Sequence, residues 1–263
     1  MGLSYPALEL NEITTADVQY RIASTKEERA AAFRLVYSSY LRSGLGEPNA
    51  CRMRVTPYHL LPTTEVFLAT CNGQAIFTMS LVVDGELGLP MECVYAEEVA
   101  RRRHQGLILA EVSCLADRRN RFRGFLPVFL GVSRLMAQHA WCRGVHELLV
   151  AVHPRHARFY QRFMAFSPFG QLRSYPTVRN NPAVALVLNF DQVDRDRPRS
   201  FDTFFGQWIP ECQLRPQPIT PAQRKYFGSM VDPAFRLAPL PDMGYSTVSA
   251  TDELPMLSAH SVS

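Results

Sequence analysis

The dipeptide Asn72-Gly73 constrains the fold of this chain more than any other feature of the sequence. It separates two β-rich runs, residues 65–71 and residues 74–84. Asn-Gly favours a type I′ turn, whose twist matches that of two adjoining antiparallel strands. The sequence therefore predicts a β-hairpin, and with it a sheet that contains an antiparallel pair.

Apolar periodicity predicts further elements on both sides of the hairpin. The clearest is a helix at residues 125–142, with Pro127 in its first turn and Gly144 after its end. Residues 107–116 and 147–152 are short apolar runs of the kind that form buried strands. Further strands are predicted at 18–23 and 183–190, and further helices at 24–44, 95–104 and 155–166. This order predicts an α/β fold in which a mixed sheet carries helices on both faces.

Length and composition indicate how the chain is divided. It has 263 residues, of which 47% are hydrophobic, so it can bury one sizeable core. A charged run at residues 191–199 separates a predicted core, residues 18–191, from a C-terminal appendage, residues 192–263. Residues 1–17 form an N-terminal extension. The appendage is predicted to contain short helices at 201–209 and 221–230 and a disordered tail from residue 242 onward.

Features that the sequence lacks exclude several classes of protein. There is no apolar run of 18 residues, so no transmembrane segment is expected. The N-terminus lacks the basic and apolar regions of a signal peptide, and a cytoplasmic location is expected. The six cysteines are scattered without a Cys-x-x-Cys pair, which favours free thiols over disulfides or a zinc site. No metal ligand set is predicted.

Positive charge is concentrated in one part of the chain. The net charge is +4, yet residues 101–162 hold twelve arginines against three acidic residues. Arginine binds phosphate and carboxylate bidentately, so this segment suggests an anionic partner, although solvated helix faces explain it as well. The triple Arg101-Arg102-Arg103 lacks interleaved aromatic residues and lysines, so no nucleic-acid partner is expected. A contact with a carrier protein or acidic loop and a solvated helix face both stay open for it.

Glu111 is the residue that most indicates chemistry, because it interrupts the predicted buried strand at 107–116. An unpaired buried charge is costly, so this carboxyl group is expected to be paired, protonated or functional. A buried glutamate with a raised pKa can act as a general base near neutral pH. The alternative is a Glu111 that faces solvent or pairs with a core arginine.

The segment from His153 to Phe166 resembles a known acyltransferase motif. A strand is followed by Pro154 and then by Ala157-x-x-Tyr160, which is similar to the strand-five and helix-four region of the GNAT acyltransferase superfamily. The resemblance implies a mostly antiparallel central sheet with splayed central strands. It also implies that Tyr160 protonates the leaving thiolate, with a core tyrosine as the alternative.

Two features resemble a narrower group within that superfamily. Glu111-x-Ser113 resembles the E-x-S-R motif of acyl-homoserine-lactone synthases, with Cys114 in place of the arginine. The span 20–191 resembles the long-chain N-acyl amino acid synthases of the FeeM type. This resemblance implies an enzyme that takes a fatty acyl group from acyl carrier protein and passes it to the α-amine of an amino acid. No permanently bound cofactor is implied, only an acyl-phosphopantetheine co-substrate on the carrier protein or on coenzyme A.

Five residues are assigned to the catalytic and acceptor sites. Glu111 is assigned as the general base and Tyr160 as the proton donor, and Ser113 is a substrate-binding residue of the resembled motif. Arg155 stands at the start of a predicted helix, where its cation suits the carboxylate of the acceptor. His156 is expected to line the acceptor pocket or to cap the helix.

The loop before the long helix departs from the GNAT pattern. Coenzyme A-dependent GNAT enzymes carry a second glycine there, which this chain lacks. The loop instead offers four arginines suited to an acidic carrier helix and a phosphopantetheine phosphate, namely Arg118, Arg119, Arg121 and Arg123. The alternatives are a coenzyme A-dependent GNAT enzyme that acts on a small amine and a non-catalytic, arginine-rich binding module.

Overall fold

The predicted hairpin is formed by strands β2 (Thr64–Cys71) and β3 (Gln74–Val83), which pair antiparallel in the computed structural model. Asn72 and Gly73 both have positive φ angles, 50° and 74°, as a type I′ turn requires. The structure describes residues 17–118 and 124–232. The expectation of a disordered tail from residue 242 lies outside the described residues, as does most of the N-terminal extension.

Within the described residues, further strands and helices complete the fold. The other strands are β1 (Val18–Ile22), β4 (Leu109–Asp117), β5 (Glu147–Val152), β6 (Ser167–Tyr175) and β7 (Asn181–Asn189). The helices of the core are α1 (Lys26–Arg42), α2 (Glu92–Arg103), α3 (Phe125–Cys142) and α4 (Pro154–Phe163). Four short helices follow the last strand, namely α5 (Phe190–Asp196), α6 (Phe201–Phe205), α7 (Glu211–Leu214) and α8 (Pro221–Gly228).

The strands form one sheet in the order β1-β2-β3-β4-β5-β7-β6. Each neighbouring pair is antiparallel except β4 and β5, which run parallel. The parallel ladder between β4 and β5 ends at the pair Glu111 and Leu149, although both strands continue beyond it. The predicted fold, a mixed, mostly antiparallel sheet with splayed central strands, is thereby confirmed.

Helices cover both faces of the sheet. On the face covered by α1 and α2, Leu109 of β4 and Leu149 of β5 are buried in one apolar cluster. On the face covered by α3, Leu148 belongs to another cluster. We call these the α2 face and the α3 face. Because side chains alternate between the faces along a strand, Glu111 belongs to the α2 face and Val112 to the α3 face.

Strand β6 is an element that the sequence analysis does not predict. Its residues are mostly exposed, it contains Pro168 and Gly170, and its register against β7 shifts twice. An edge strand has a partner on one side only and tolerates proline and bulges. The sequence of β6 therefore lacks the apolar alternation by which a strand is recognised.

Helices α6 and α7 of the appendage pack against α3, and α8 packs against Phe33 of α1. Helices α6 and α8 lie where two short helices are predicted, and α5 and α7 are additional. Gln138 of α3 donates through Nε2 to the carbonyl of Phe204 at 2.6 Å and accepts through Oε1 from the N–H of Ile209 at 2.8 Å. His139 Nδ1 lies 2.8 Å from the carbonyl oxygen of Leu214. Side chains of α3 thus fix the backbone of the appendage at three points.

Three further observations concern the cysteines, metal sites and membrane spans. All six cysteines lie in the described residues and carry free thiols. In the part of the chain that the structure describes, no group of three His, Cys, Asp or Glu side chains is placed to hold a metal ion. None of the described helices has the length and apolar character needed to cross a membrane.

Candidate active site

The centre of the sheet contains a gap between β4 and β5. Beyond Glu111 and Leu149, β4 continues to Asp117 and β5 to Val152 without pairing to each other. The outer edges of the two strands are paired, β4 with β3 and β5 with β7. The edges that face the gap therefore present backbone N–H and C=O groups to an extended ligand, as a sheet edge does to an added strand.

Strand β4 contains a β-bulge where it borders the gap. Thr78 and Ser80 of β3 lie opposite Ala116 and Ser113 of β4, so β4 carries one residue more than its partner over this stretch. Within the bulge, Cys114 has a φ of 50°, an uncommon value for a residue with a side chain. A positive φ strains the backbone of a residue with a side chain, so it persists only where the surrounding structure fixes it. Residues strained in this way are found most often at functional sites.

Glu111 is buried on the α2 face at the point where the gap opens, with 3% of its surface exposed. Its Oε2 accepts a hydrogen bond from the backbone N–H of Met91 at 2.7 Å, next to the start of α2. Burial raises the pKa of Glu111, the Met91 N–H lowers it and the Glu92 carboxylate raises it, with a resulting pKa of about 8. The carboxyl group is therefore able to exchange a proton near neutral pH.

Protonated polar side chains lie near Glu111 on the α2 face. Burial and the negative charge of Glu111 raise the pKa of Cys93 to about 11. The same two effects raise the pKa of Tyr58 and Tyr175, which are both buried. All three groups keep their protons at neutral pH, so they offer hydrogen-bond donors in the neighbourhood of the carboxyl group.

Arg54 is a site residue that the sequence analysis misses, because it stands in the irregular loop between α1 and β2. Its Cζ lies 4.9 Å from the centroid of the Tyr40 ring, and its Nη2 donates to the carbonyl of Thr177 at 2.8 Å. Its Nε is buried and has no hydrogen-bond partner among the described residues. Burial raises the pKa of Cys114 and the nearby Arg54 cation lowers it, so the guanidinium lies close to the bulge of β4. An unused donor is thus available beside the gap.

Tyr160 lies in α4, on the α3 face of the sheet. Its ring packs against Phe129 and Phe166, with centroid separations of 6.4 and 5.5 Å. Burial raises the pKa of its hydroxyl to about 12, so the group keeps its proton at neutral pH. Tyr160 therefore has both a packing role and a proton that it is able to donate.

An apolar cavity lies on the α3 face of the sheet. Val112 of β4 and Val150 of β5 line it where the two strands part. Helix α3, the end of α4 and helices α5 and α6 provide its other walls. Hydroxyl groups enter this lining from Tyr160, Ser133 and Ser200, and the remaining side chains are apolar. The cavity has the character of a site for an alkyl chain.

The residues assigned to the acceptor site lie in different environments. Ser113 is half-buried in β4, two residues from Glu111 and on the same face. Arg155 and His156 are exposed on α4, and Arg155 Nε donates to His156 Nε2 at 3.0 Å. The cap of α4 is His153, whose Nδ1 accepts from the Arg155 N–H at 3.2 Å, so a capping role for His156 is wrong.

Two of the three consecutive arginines of α2 form ion pairs inside the fold. Arg102 donates to Glu147 at 2.7 Å, and Arg103 donates to Asp84 at 2.6 Å and to Glu92 at 2.5 Å. Their guanidinium groups are therefore occupied. The alternative of a solvated helix face is wrong for these two residues, and Arg103 contacts Asp84 in the loop that follows β3.

Of the four arginines assigned to carrier binding, Arg118 lies within the described residues. It is exposed at the end of β4, and its backbone N–H donates to the carbonyl of Ile76 at 2.9 Å. Because β4 and β5 part toward this end, Arg118 stands beside the open side of the gap. Arg119, Arg121 and Arg123 lie outside the described residues.

Comparisons with known proteins place the chain among acyltransferases. A family described as N-acyl amino acid synthase FeeM matches residues 31–189, from α1 to the end of β7. The structure of FeeM, an N-acyl amino acid synthase from uncultured soil microbes, is 28% identical, with a TM-score of 0.58 over 66% of this chain and 91% of that chain. The AHL synthase LasI shares the fold at 16% identity, with a TM-score of 0.52 over 73% and 95% of the two chains. No curated protein matches the chain significantly.

Proposed function

The chain belongs to the N-acyl amino acid synthase FeeM family and is an N-acyltransferase; from this premise we propose that it transfers a long-chain acyl group from acyl carrier protein to the α-amine of an amino acid. The observation that carries the proposal is the gap between β4 and β5. It opens between an apolar cavity on the α3 face and the buried carboxyl group of Glu111 on the α2 face. A fatty chain and a charged amine thus have chemically suited places on opposite sides of the sheet.

The phosphopantetheine arm of the donor is proposed to lie in the gap. Its two amide groups pair with the free backbone edges of β4 and β5, as an added strand would. The thioester then lies near the bulge at Cys114, where the ladder between β3 and β4 is interrupted. A backbone N–H of residues 112–114 is proposed to bind the thioester oxygen, which stabilises the negative charge that develops there.

Glu111 and Tyr160 are proposed as the two groups that move protons. The Glu111 carboxylate takes a proton from the ammonium group of the amino acid, and the free amine attacks the thioester carbon to form a C–N bond. The C–S bond then breaks, and Tyr160 gives its proton to the departing thiolate. The second proton of the nitrogen and the proton held by Glu111 pass to solvent, from which Tyr160 regains its own. The products are an N-acyl amino acid and the carrier thiol.

We propose Arg54 as the residue that binds the carboxylate of the amino acid. Its buried Nε lacks a partner among the described residues, and its cation lies close to Cys114 at the gap. A guanidinium edge suits a carboxylate through two parallel hydrogen bonds. Arg155 with His156 is the alternative that the sequence suggests, but both are exposed and bonded to each other. Ser113 is proposed to line the acceptor pocket, since it shares its face with Glu111.

The carrier protein is proposed to dock beside the open side of the gap. Arg118 is exposed there, and three further arginines follow it directly in the sequence, namely Arg119, Arg121 and Arg123. Arginines complement the acidic helix of a carrier and the phosphate of its prosthetic group. Charge reversal at Arg118 is expected to raise the KM for acylated carrier more at low salt than at high salt, because exposed charges are screened.

The experiment that tests the function uses the purified full chain with palmitoyl-acyl carrier protein and a mixture of the common amino acids. Mass spectrometry of the products reports the acceptor. We expect an N-acyl amino acid from the native chain and a loss of product with Glu111→Gln. Absence of product with carrier-bound and coenzyme A-bound donors alike contradicts the function, and turnover with palmitoyl-coenzyme A alone contradicts the proposed donor.

A further inference from the structure

We propose that helix α6 forms the far wall of the acyl cavity and limits the length of the acyl chain that the enzyme accepts; this inference rests on the proposed function. The family match ends at residue 189, before α6 begins. Helix α6 therefore lies outside the segment that the family model matches. A wall at this place gives the first part of the appendage a role in substrate selection.

Helix α6 and the two strands that border the gap line the same cavity. Where the strands part, the cavity is lined by Val112 and Val150. From the appendage, Phe201, Phe204 and Phe205 line it with aromatic rings. An acyl chain whose thioester lies in the gap and whose tail enters the cavity thus meets α6 after passing the sheet and α3. An acyl chain that is longer than the cavity would therefore contact the aromatic rings of α6.

Contacts with α3 hold α6 in place. The Gln138 side chain of α3 donates to the backbone of Phe204 and accepts from that of Ile209, so it holds both ends of the turn that follows α6. The ring of Phe205 packs against Trp141 of α3 and against Phe201, at centroid separations of 5.0 and 5.4 Å. A wall that is fixed in this way discriminates between acyl groups by their length, whereas a mobile wall would adapt to each acyl group.

The cavity differs from ordinary core packing around it. Protein interiors are close-packed, with few voids larger than a water molecule. A void with apolar walls stays dry and binds apolar ligands. Phe204 is 7% exposed and belongs to the apolar cluster of the α3 face, yet it also lines the cavity. This combination indicates a ligand site.

The test compares chain-length profiles in competition. Full-length enzyme is given an equimolar series of acyl carrier proteins, from octanoyl to stearoyl, with one amino acid, and the products are quantified by mass spectrometry. Phe204→Ala is expected to raise the ratio of longer to shorter products about fifteenfold for two added methylenes, since each buried methylene is worth roughly fourfold. Phe204→Trp is expected to shift the profile toward shorter chains.

Phe227→Ala is the matched control. Phe227 is a buried phenylalanine of the same appendage, in α8, but it packs against Phe33 in a different cluster. This variant is expected to lose stability while its product profile stays that of the native chain. If native enzyme makes acyl amino acids and Phe204→Ala and Phe204→Trp both keep the native profile, the inference is wrong and the function stands. If native enzyme makes no acyl amino acid, the function itself fails.

A second readout keeps the test decisive where Phe204→Ala folds poorly or is inactive. Titration of the native chain and of Phe201→Ala with fatty acids of increasing length, followed by tryptophan fluorescence, measures the fit of the cavity without turnover. The affinity optimum is expected to move to longer chains in Phe201→Ala. An unchanged optimum contradicts the role of α6.

Discussion

Glu111 lies opposite Leu149 in the last residue pair of the ladder between β4 and β5, so its buried carboxyl group stands where the sheet divides. A carboxyl group at this position reaches the gap without becoming exposed to bulk water. Its pKa of about 8 follows from that burial, with a smaller opposing effect of the Met91 N–H. The position and the pKa together support the proposed base.

Substitution Glu111→Gln is expected to lower kcat by about 10²- to 10⁴-fold, the usual contribution of a general base. The amide oxygen of glutamine retains an acceptor for the Met91 N–H, so the fold is expected to persist. Steady-state kinetics with acylated carrier measure the loss, and circular dichroism checks the fold. A variant with native kcat contradicts the role of Glu111.

The pH profile of the native enzyme is expected to follow the same group. The base must be ionised, so kcat/KM is expected to rise with pH and to level off above about 8, which is the pKa of Glu111. The residual activity of Glu111→Gln is expected to lack this limb. A profile with its midpoint near the pKa of an exposed glutamate in the native enzyme argues against the proposal.

The stability of the fold is expected to fall with rising pH, whereas kcat/KM is expected to rise. Folding raises the pKa of Glu111, so the protonated form is favoured in the folded state, and this contribution is complete at low pH. It is lost as the pH rises from about 4.5 through about 8, where the folded protein must hold a buried charge. Relative to Glu111→Gln, the native chain is thus expected to unfold more easily at pH 9 than at pH 5 in denaturant titrations. Glu65, whose pKa burial also raises, is present in both proteins and cancels in this comparison.

For the acceptor site, Arg54→Gln is expected to raise the KM for the amino acid by about 10- to 100-fold, the effect of removing a hydrogen bond to a charged group. An amino acid amide, which lacks the carboxylate, is expected to be used equally by the native chain and the variant. Initial rates with both acceptors give the comparison. If Arg155→Gln shows this pattern and Arg54→Gln does not, the acceptor carboxylate binds at α4.

The arginines of α2 provide a test of structural against binding roles. Arg103 is largely buried between Asp84 and Glu92, so Arg103→Ala leaves two carboxylates without their partner. The free energy of unfolding is expected to fall by about 3 kcal/mol or more. The exposed neighbour Arg101 is the control, since Arg101→Ala is expected to change it by less than about 0.5 kcal/mol. Equal stabilities of the two variants in urea titrations contradict this division.

The sequence predicts well what short-range signals determine. Asn72-Gly73 fixes a two-residue turn whatever the rest of the chain does, and the structure has the hairpin there. The sequence alone also marks Glu111 as a candidate functional residue, because a carboxylate in a buried strand costs free energy unless it is paired or protonated. The order of the predicted elements gives the α/β fold class, and the resemblance around Tyr160 adds the splayed central strands, which no local pattern of this chain indicates.

Features that depend on contacts between distant segments escape prediction. Arg54 is one arginine among many in the sequence, and only the fold brings it to Cys114, which lies in another element. The ion pair of Arg102 with Glu147 joins α2 to β5. The distribution of charge along the sequence does not show that this arginine is paired. The place of Phe204 against the cavity likewise depends on how the appendage folds back onto α3.

The two proposed substrate sites lie on opposite faces of the sheet, so the specificity for the amino acid and the specificity for the acyl chain can evolve separately. The residues proposed to recognise the amino acid, Glu111 and Arg54, share no wall with those proposed to measure the lipid tail, such as Phe204. Mutations on one side therefore leave the other side's partner undisturbed, and their energetic effects add. A lineage built on this scaffold can diversify its head groups and its tails separately, and so reach many lipid products through few substitutions.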